Sequence, residues 1–534
     1  MSSEIHQDSV PLNALHPGGM QSARIKWQKG EKRLKQILKR HFSIQNMNNY
    51  KRAAADFKRT IRRTRKKYWR DYCSALTAET AMNRIWKVFN SMKKRQPPDT
   101  YPLQSNVFLS AFEKAEVFSH HFAAIYNDTI TIANEDLLSL HVQNAIEFNH
   151  NAYNIPFKLS ELGSVIGGLP TNKAAGLDDI PYEFIRNLDP PAESFLLRIY
   201  NYCWSNSVFP ESWKTAIILP FHKPGKDPSN PVSYRPISLL STFGKVFERL
   251  VFNRLYWFLE NSLKLPEFQA GFRKQRSTQD QLVRLEHFIC RGIKEKQVVL
   301  TIYFDMSKAF DRVPHLAVLY KLSNMGVKGR MLGWIKNFLS NRTFQVNLLG
   351  EMSSANNLGI QGVPQGGILS PLLFIVFISD LPAFLDVSCS AFADDICLFT
   401  SANSMQQAIL KMQRALNGFK VWADKWGLKI NADKTSYQYF TRQRITQQVY
   451  LKYGTEDLNY SRVYKYLGLW FDSPYLTWRD HISNLTDSCK KRLNLMKACS
   501  SSSWGADRDT LLKIYKATIL SKIQYGAVPL LVSP

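Results

Sequence analysis

Three aspartates stand where the sequence predicts that buried strands end. Asp394 and Asp395 are adjacent in AFADDIC, residues 391–397, and Asp305 closes the apolar run QVVLTIYFD, residues 297–305. Paired acids are also ordinary turn residues, because Asp tolerates the positive φ of a two-residue hairpin loop. A carboxylate at the end of a buried strand, however, prefers a cation. Two or three such carboxylates suit Mg²⁺, and two ions about 4 Å apart would promote in-line phosphoryl transfer.

Two elements must position these acids. The alternating residues before Asp394 and the apolar residues after Asp395 predict two short strands that meet at a tight turn. The run 297–305 is rich in β-branched and apolar residues, which is typical of a buried central strand. The acids can converge only if these strands, distant in the sequence, become neighbours in one sheet.

The composition predicts a large globular protein with a polyanionic partner. Of the 534 residues, 45% are hydrophobic and 13% aromatic, enough to bury a core in several domains. The formal net charge of +27 indicates nucleic acid or an anionic membrane face as the partner. Between Arg24 and Cys73 the sequence has 18 basic and 3 acidic residues, which predicts a basic N-terminal arm.

The arm has the pattern of a helix. Residues 48–95 lack Gly and Pro, and their apolar side chains recur at spacings of three and four, which predicts an amphipathic helix. The other faces carry KRTIRRTRKKYWR, residues 58–70. A solvated surface, a phosphate-binding surface and a nuclear-import signal are the alternatives for this charge. In a phosphate-binding arm, Tyr68, Trp69 and Tyr72 would stack on unpaired bases.

Several functional classes lack their motifs. The chain starts without a secretory signal, and no run approaches 18 apolar residues, so we expect a soluble protein of the nucleus and cytoplasm with no membrane partner. Seven scattered cysteines without a CxxC pair argue against a disulfide framework or a zinc site. Motifs of P-loop, zinc-protease and serine-hydrolase chemistry are absent. A mostly helical stretch, residues 107–149, carries no pattern to which we assign chemistry.

Five motifs, in their order and spacing, carry a family resemblance. They are FDMSKAFDRV (304–313), GVPQGGILSPLLF (362–374), AFADDICLF (391–399), WGLKINADKTSY (426–437) and KYLGLWFD (465–472). On these motifs the chain resembles the reverse transcriptase domain of non-LTR retrotransposons, most of all the jockey-like group of LINE-type elements. NKAAGLDDIPYEF, FPESWKTAIILPFHKPGKD and SYRPISLL extend the likeness upstream, so it covers roughly residues 155–530.

The resemblance implies an α+β fold of the right-hand polymerase type, with fingers, an antiparallel-sheet palm and a partial helical thumb, behind a basic helical N-terminal region. The expected segments are 1–100 for the basic helical N-terminal region, 101–155 for a helical connector, 156–296 for the fingers, 297–460 for the palm with finger insertions, and 461–534 for the primer grip and a truncated thumb.

The resemblance also implies the roles of the acids and of one aromatic residue. Asp305 and Asp394 match the family's metal ligands, and Asp395 matches its third catalytic acid. Phe310 matches the steric gate that crowds a ribose 2′-OH, since an aromatic face excludes a hydroxyl that it cannot hydrogen-bond.

Nucleotide and primer contacts are implied in the same way. Gln365 matches the residue that touches the incoming nucleotide and the template. Lys223 and Arg235 match finger residues on the triphosphate, although by composition alone both would be solvated surface groups. Lys434 matches the lysine near the leaving pyrophosphate, and Tyr466-Leu467-Gly468 matches the primer grip.

The implied function is RNA-directed DNA synthesis. Such an enzyme extends a primer 3′-OH on an RNA template with dNTPs and two Mg²⁺ ions, or Mn²⁺, and also binds a DNA primer or target. A catalytically inactive RNA-binding remnant of an element is the alternative, because no endonuclease segment precedes the motifs and the chain ends within the expected thumb. A group II intron maturase-like or telomerase-like protein is a weaker alternative. Two residues depart from the family pattern: Gly367 stands where Ser is usual, and Asp179 stands where Gly is usual.

Overall fold

The computed structural model describes residues 43–77, 79–83, 109–128, 132–148, 152–306, 308–445, 449–501 and 503–532. The chain divides into two compact units. Met1–Asp99 and Arg479–Ala527 form the first, here called the helical unit, and Thr100–Trp478 with Val528–Pro534 form the second, here called the sheet unit. Residues 24–42 of the predicted basic arm, and residues 84–95 of the helix predicted over 48–95, lie outside the described residues. The observed helix ends at Ser74, so the prediction that it continues without a break to residue 95 is wrong.

Helices and strands alternate irregularly along the chain, which gives the α+β class that the sequence predicted. The helices are α1 (Ile44–Ser74), α2 (Ala111–Tyr126), α3 (Glu135–Glu147), α4 (Leu159–Gly167), α5 (Tyr182–Arg186), α6 (Pro190–Ser205), α7 (Thr242–Asn261), α8 (Thr278–Lys294), α9 (His315–Asn324), α10 (Arg330–Leu339), α11 (Ser370–Ile378), α12 (Met405–Lys425), α13 (Arg479–Ala498), α14 (Arg508–Tyr515), α15 (Ser521–Gln524) and α16 (Ala527–Val532). The strands are β1 (Thr215–His222), β2 (Tyr234–Leu239), β3 (Val298–Phe304), β4 (Thr343–Leu348), β5 (Glu351–Met352), β6 (Asn356–Asn357), β7 (Ser388–Phe392), β8 (Asp395–Ala402), β9 (Ser436–Phe440), β10 (Lys452–Tyr453), β11 (Glu456–Asp457), β12 (Asn459–Tyr460), β13 (Val463–Tyr466) and β14 (Leu469–Asp472).

The central sheet of the sheet unit has the strand order β12-β9-β3-β8-β7. Strand β3 lies in the middle, antiparallel to both β8 and β9, and β7 and β8 form a hairpin. Both predictions of local structure, the buried strand and the hairpin, are confirmed. The sheet is not wholly antiparallel, because the short strand β12 pairs parallel with β9.

Strand β3 is buried along its whole length because helices cover both of its faces. Val298, Leu300, Ile302 and Phe304 join one core cluster with side chains of α12, such as Phe419. The alternate residues Val299 and Tyr303 join another cluster with side chains of α8. This two-sided burial explains why the sequence of β3 is apolar without alternation.

A second sheet follows the order β2-β1-β4-β5, with β6 also paired to β4. Strand β1 is antiparallel to β2 and parallel to β4. Helix α2 packs against this sheet, where Phe118 meets Tyr234 edge to face at 4.8 Å between ring centroids. The Asn356 side-chain amide also donates to Ser119 Oγ at 2.8 Å. The assignment of these sheets to fingers and palm stays a prediction, as do the expected segment boundaries.

The helical unit joins α1 to α13 and α14 around a small core. Trp69, Cys73, Cys499 and Ile514 are buried together there. Trp69 is 8% exposed, and its Nε1 donates to Ala498 O at 2.8 Å. Trp69 therefore serves the core, and the prediction that it stacks on unpaired bases is wrong. The exposed basic side chains of α1 are unaffected by this correction.

Within the described ranges, no helix combines the length and the apolar character that crossing a membrane requires.

Candidate active site

The central sheet brings the three acids to one edge. Strands β3 and β8 pair with Phe304 opposite Ile396, so Asp305 and Asp395 lie at neighbouring strand ends. Asp394 is the second residue of the two-residue turn Ala393-Asp394 of the β7–β8 hairpin, directly before Asp395, the first residue of β8. Carboxyl groups from distant parts of the sequence thus meet at the place that the motifs indicated.

The turn that carries Asp394 is supported from outside the hairpin. Ala393 takes a φ of +57°, a left-handed conformation that costs a residue with a Cβ roughly 1–2 kcal/mol. Gln269 compensates: its Oε1 accepts from Ala393 N at 2.9 Å and its Nε2 donates to Ala393 O at 3.0 Å. A Cβ on Gly271 would lie 2.3 Å from Ala393 N, so only glycine fits there. The positive φ falls on Ala393 and not on either acid, so turn geometry does not explain why two acids follow it.

Burial and mutual repulsion raise the pKa values of two of the acids. Burial raises the pKa of Asp394, and the neighbouring Asp305 raises it further. Burial, followed by repulsion from Asp394 and Asp305, raises the pKa of Asp395 to about 6. A divalent cation would relieve both the repulsion and the desolvation of these groups.

The donor set fits a magnesium ion. Across the residues that the structure describes, no group of three or more His, Cys, Asp and Glu side chains, the three acids included, is placed to hold a metal ion by itself. Mg²⁺ does not require one, because it usually keeps several waters and takes one or two carboxylates together with substrate phosphates. Asp305 and Asp394 both line an open cavity, where such waters and phosphates can enter.

This cavity has a volume of about 790 Å³, within the range of roughly 300–1,000 Å³ that is typical of ligand sites. Seven residues that the motifs marked line it: Lys223, Arg235, Asp305, Phe310, Gln365, Asp394 and Lys434. Asp395 and the turn at residues 466–468 lie outside its wall.

Basic side chains crowd the cavity beside the acids. Burial lowers the pKa of Lys223, and the nearby Arg235 and Lys434 lower it further. Lys434 Nζ also lies 3.3 Å from Asp305 Oδ2, so one lysine connects the cations to the carboxylates. The site combines carboxylates, which suit a metal ion, with basic side chains that repel one another. This combination suits a polyphosphate with a bound metal ion.

Phe310 is held rigidly at the cavity. It lies in a 3₁₀ turn, Ala309–Arg312, and its carbonyl accepts from Val363 N at 2.9 Å. Its ring stacks on Phe374 with centroids 4.7 Å apart and meets Phe272 edge-on at 6.1 Å. A ring fixed by two neighbours can act as a steric wall.

The predicted primer-grip residues lie in a separate hairpin. Strands β13 and β14 are joined at Leu467 and Gly468, which take φ values of +43° and +93°. Tyr466 is buried against the central sheet, with its OH 3.3 Å from Ser390 Oγ. Burial and the nearby Asp395 raise the pKa of Tyr464 to about 12, which indicates that the hairpin lies close to the acids.

Both departures from the family pattern have a local explanation. Asp179 takes a φ of +51°, where Gly is favoured and Asp is one of the better-tolerated replacements. At Gly367 a Cβ would lie 2.7 Å from Ser370 Oγ and 3.2 Å from Glu248 Oε2. A serine at this position would therefore require Ser370 to move.

Sequence reasoning gave no role to several other residues that line the cavity, among them His121, Lys308, Asp311 and Asn431. Lys308 lies between Asp305 and Phe310 in one motif, and this position was a usable signal. His121 had no local signal, because it comes from α2, in the segment to which we assigned no chemistry. Burial, then Lys308 and Lys223, lower the pKa of His121 to about 4, so its imidazole is neutral at pH 7.

An acid-bearing sheet edge beneath a cation-lined cavity is the type of site that nucleic acid polymerases use. Comparison with known proteins shows which polymerases the chain is similar to. Residues 221–471 match the family "Reverse transcriptase (RNA-dependent DNA polymerase)". These residues are thus similar to a reverse transcriptase domain, and members of that family generally depend on divalent metal ions.

Relatives from mobile elements extend the match. The chain is 34% identical over 382 residues to the RNA-directed DNA polymerase from mobile element jockey of Drosophila melanogaster, covering 69% of this chain and 41% of that protein. The jockey protein of Drosophila funebris is 33% identical over 424 residues, 78% of this chain and 46% of its own length. The probable RNA-directed DNA polymerase from transposon BS of Drosophila melanogaster is 30% identical over 468 residues, 84% of this chain and 50% of its own. The resemblance to jockey-like elements is confirmed, and the chain spans about half the length of these relatives or less.

Proposed function

We propose that the chain is the RNA-directed DNA polymerase of a non-LTR retrotransposon. It would transfer nucleotides from dNTPs to a primer 3′-OH on an RNA template, and a DNA primer or target would be its further partner. The observation that carries the proposal is the convergence of Asp305 and Asp394 with Lys223, Arg235 and Lys434 around one cavity. The identity to jockey and BS polymerases favours this function over a maturase-like or telomerase-like protein.

Asp305, Asp394 and Asp395 would hold two Mg²⁺ ions, with Mn²⁺ as a substitute. When bound, the ions supply charge for the attacking and leaving oxygens of the phosphoryl transfer. The carboxylates contribute the negative charge that selects a divalent cation, and Gln269 keeps the Asp394 turn in place through Ala393.

The cavity's other residues would bind and orient the nucleotide. Lys223 and Arg235 would contact triphosphate oxygens, and Lys434, paired with Asp305, would neutralise the leaving pyrophosphate. Gln365 would contact the nucleotide and template, and Phe310 would exclude the ribose 2′-OH. The hairpin turn at residues 466–468 would support the primer.

Primer extension on poly(rA)/oligo(dT) with Mg²⁺ tests the proposal. Template-dependent incorporation of dTTP, abolished by EDTA, is the expected result. RNA binding without any extension, under Mg²⁺ and under Mn²⁺, would instead support the alternative of a catalytically inactive RNA-binding remnant.

The parts of the fold are proposed on the same basis. Residues 156–296 would form the fingers, 297–460 the palm, and 461–534 the primer grip and a partial thumb, behind the basic region 1–100 and the connector 101–155. We also propose nuclear as well as cytoplasmic residence, because KRTIRRTRKKYWR has the composition of an import signal.

Phe310→Val is expected to raise the use of rNTPs relative to dNTPs by about tenfold, because the smaller side chain opens space for a 2′-OH. Single-nucleotide insertion with dTTP and rUTP measures the ratio of kcat/KM values. Phe184→Val is the matched control, since it makes the same change at an exposed phenylalanine outside the cavity wall. An unchanged ratio in Phe310→Val would remove this residue from the gate.

The magnesium requirement is expected to rise steeply at acidic pH. Asp395 has a pKa of about 6 without metal, so below that pH it holds a proton that Mg²⁺ must displace. The Mg²⁺ concentration for half-maximal extension should then increase up to about tenfold per pH unit. Titrations at pH 7.5, 6.5 and 5.5 measure it, and Asp395→Asn should flatten the dependence in any residual activity or in Mn²⁺ binding. A constant half-saturation concentration across this range would contradict the prediction.

A further inference from the structure

A buried carboxylate lies beside Gln365 and has no role in the site described so far. Asp311 is 3% exposed, in the 3₁₀ turn that also carries Phe310. Its Oδ1 accepts from Gln365 Nε2 at 2.9 Å and from Tyr126 OH at 3.3 Å. Two side chains from distant parts of the sequence thus converge on one oxygen atom.

The burial of Asp311 is costly. Desolvation raises its pKa to about 6, while the Gln365 hydrogen bond, Lys308 and Tyr126 act in the opposite direction. An amide or an apolar residue would fill this position at lower cost. The carboxylate is therefore best explained by what its hydrogen bonds hold in place.

The backbone of Gln365 is already fixed by the neighbouring sheet. Its carbonyl accepts from Ser238 N at 2.8 Å. A Cβ on the next residue, Gly366, would lie 2.3 Å from Ser238 O, so no side chain fits between strand β2 and this loop at residue 366. The backbone contacts leave the side-chain torsions of Gln365 unconstrained. The hydrogen bond to Asp311 restricts these torsions.

Tyr126 is anchored as firmly, although it lies outside the matched segment 221–471. It ends helix α2, and the Gln361 amide donates to Ile125 O at 2.9 Å and to Asp128 O at 3.0 Å. Arg312 and Lys429 both pair with the Asp128 carboxylate, at 2.6 and 2.8 Å. Salt bridges thus connect the end of α2 to two motifs that contribute residues to the cavity wall, FDMSKAFDRV and WGLKINADKTSY.

We infer that Asp311, together with Tyr126, is a positioning residue that orients the Gln365 amide toward the incoming nucleotide. An amide held through one N–H presents its carbonyl oxygen and its other N–H in one direction, which increases nucleotide affinity by preorganisation. The inference rests on the proposed function, and it assigns to α2 a part in nucleotide binding. It predicts an effect on dNTP affinity and a much smaller effect on the rate of the chemical step.

Asp311→Asn and Tyr126→Phe test this in the full chain. Each is expected to raise the KM for dTTP by about tenfold, with kcat within about twofold, in single-nucleotide insertion on poly(rA)/oligo(dT). Tyr200→Phe is the matched control: Tyr200 is also buried, and its OH donates to Phe243 O at 2.9 Å, away from the cavity. It should leave the KM unchanged, and thermal unfolding of all variants measures the general loss of stability.

A double-mutant cycle separates positioning from a merely structural role. If Asp311 acts through Gln365, Asp311→Asn should change the KM by less than about twofold in a Gln365→Ala background. If the KM of the double variant rises by the product of the two single-variant effects, the inference is overturned. Unchanged KM values in both single variants would also overturn it.

The test also distinguishes this inference from the proposed function. Absence of extension by the wild-type chain refutes the polymerase assignment. In that case calorimetric titration with Mg²⁺·dTTP still measures affinity, and equal dissociation constants for wild type and Asp311→Asn would refute the positioning role.

Discussion

Asp394→Asn is expected to reduce primer extension by at least about 10³-fold, while the affinity for template RNA changes by less than about twofold. The substitution removes one negative charge from the site proposed to hold Mg²⁺, and such electrostatic contributions are worth several kcal/mol in the transition state, where 1.36 kcal/mol is tenfold in rate. No phosphate contact is lost. Extension on poly(rA)/oligo(dT) and fluorescence anisotropy with labelled RNA measure the two quantities.

Asp386→Asn is the matched control for this variant. Asp386 is exposed and lies in the segment that leads into β7, the first strand of the hairpin. It should retain full extension. If Asp394→Asn extends primers normally, the metal role is wrong; if it loses RNA binding and thermal stability together with extension, Asp394 has a structural role instead.

The local elements around the acids were predictable because they are properties of short sequence runs. A strand covered on both faces must be apolar throughout, and β3 is. A hairpin is indicated by strand-like sequence patterns on both sides of a turn, and the β7–β8 segment has them. The positions of Asp305 and Asp394 at strand ends follow directly from these patterns.

The supports of the site were not predictable in this way. Gln269 holds Ala393 across 124 residues of sequence, and Tyr126 reaches Asp311 across 185. A glutamine or tyrosine side chain carries no local sign of a distant partner, so only the folded chain identifies these contacts. The sequence likewise gave no sign that the positive φ of the turn falls on Ala393, because Asp is the commoner residue at positive φ.

Trp69 shows the same limit for a surface prediction. Aromatic residues among lysines and arginines are typical of nucleic-acid-binding segments, yet Trp69 donates to Ala498 O, 429 residues away. Helix α1 is therefore a core element of the helical unit. Deletion of the N-terminal region would remove this packing together with the charge, so charge must be tested by substitution.

Replacement of Lys58, Arg63, Lys66 and Lys67 by Gln is expected to weaken RNA binding and its dependence on salt. All four side chains are exposed on α1, so the core of the helical unit is left intact. If the basic region neutralises six to ten phosphates of single-stranded RNA, the wild-type affinity should fall about 300- to 16,000-fold between 50 and 200 mM salt. Loss of four contacts on single-stranded RNA should reduce the slope of log K against log salt by about 3.

Fluorescence anisotropy at several salt concentrations measures these slopes, with two unrelated RNA sequences to show that the effect is independent of sequence. The matched control replaces four exposed lysines of the sheet unit by Gln, which changes the net charge equally: Lys264, Lys294, Lys336 and Lys411. A control slope close to that of the wild type, with a reduced slope for the α1 variant, locates phosphate binding on α1. Equal slopes for all three proteins would mean that α1 does not contact RNA, and equal reductions in both variants would mean that only the total charge matters.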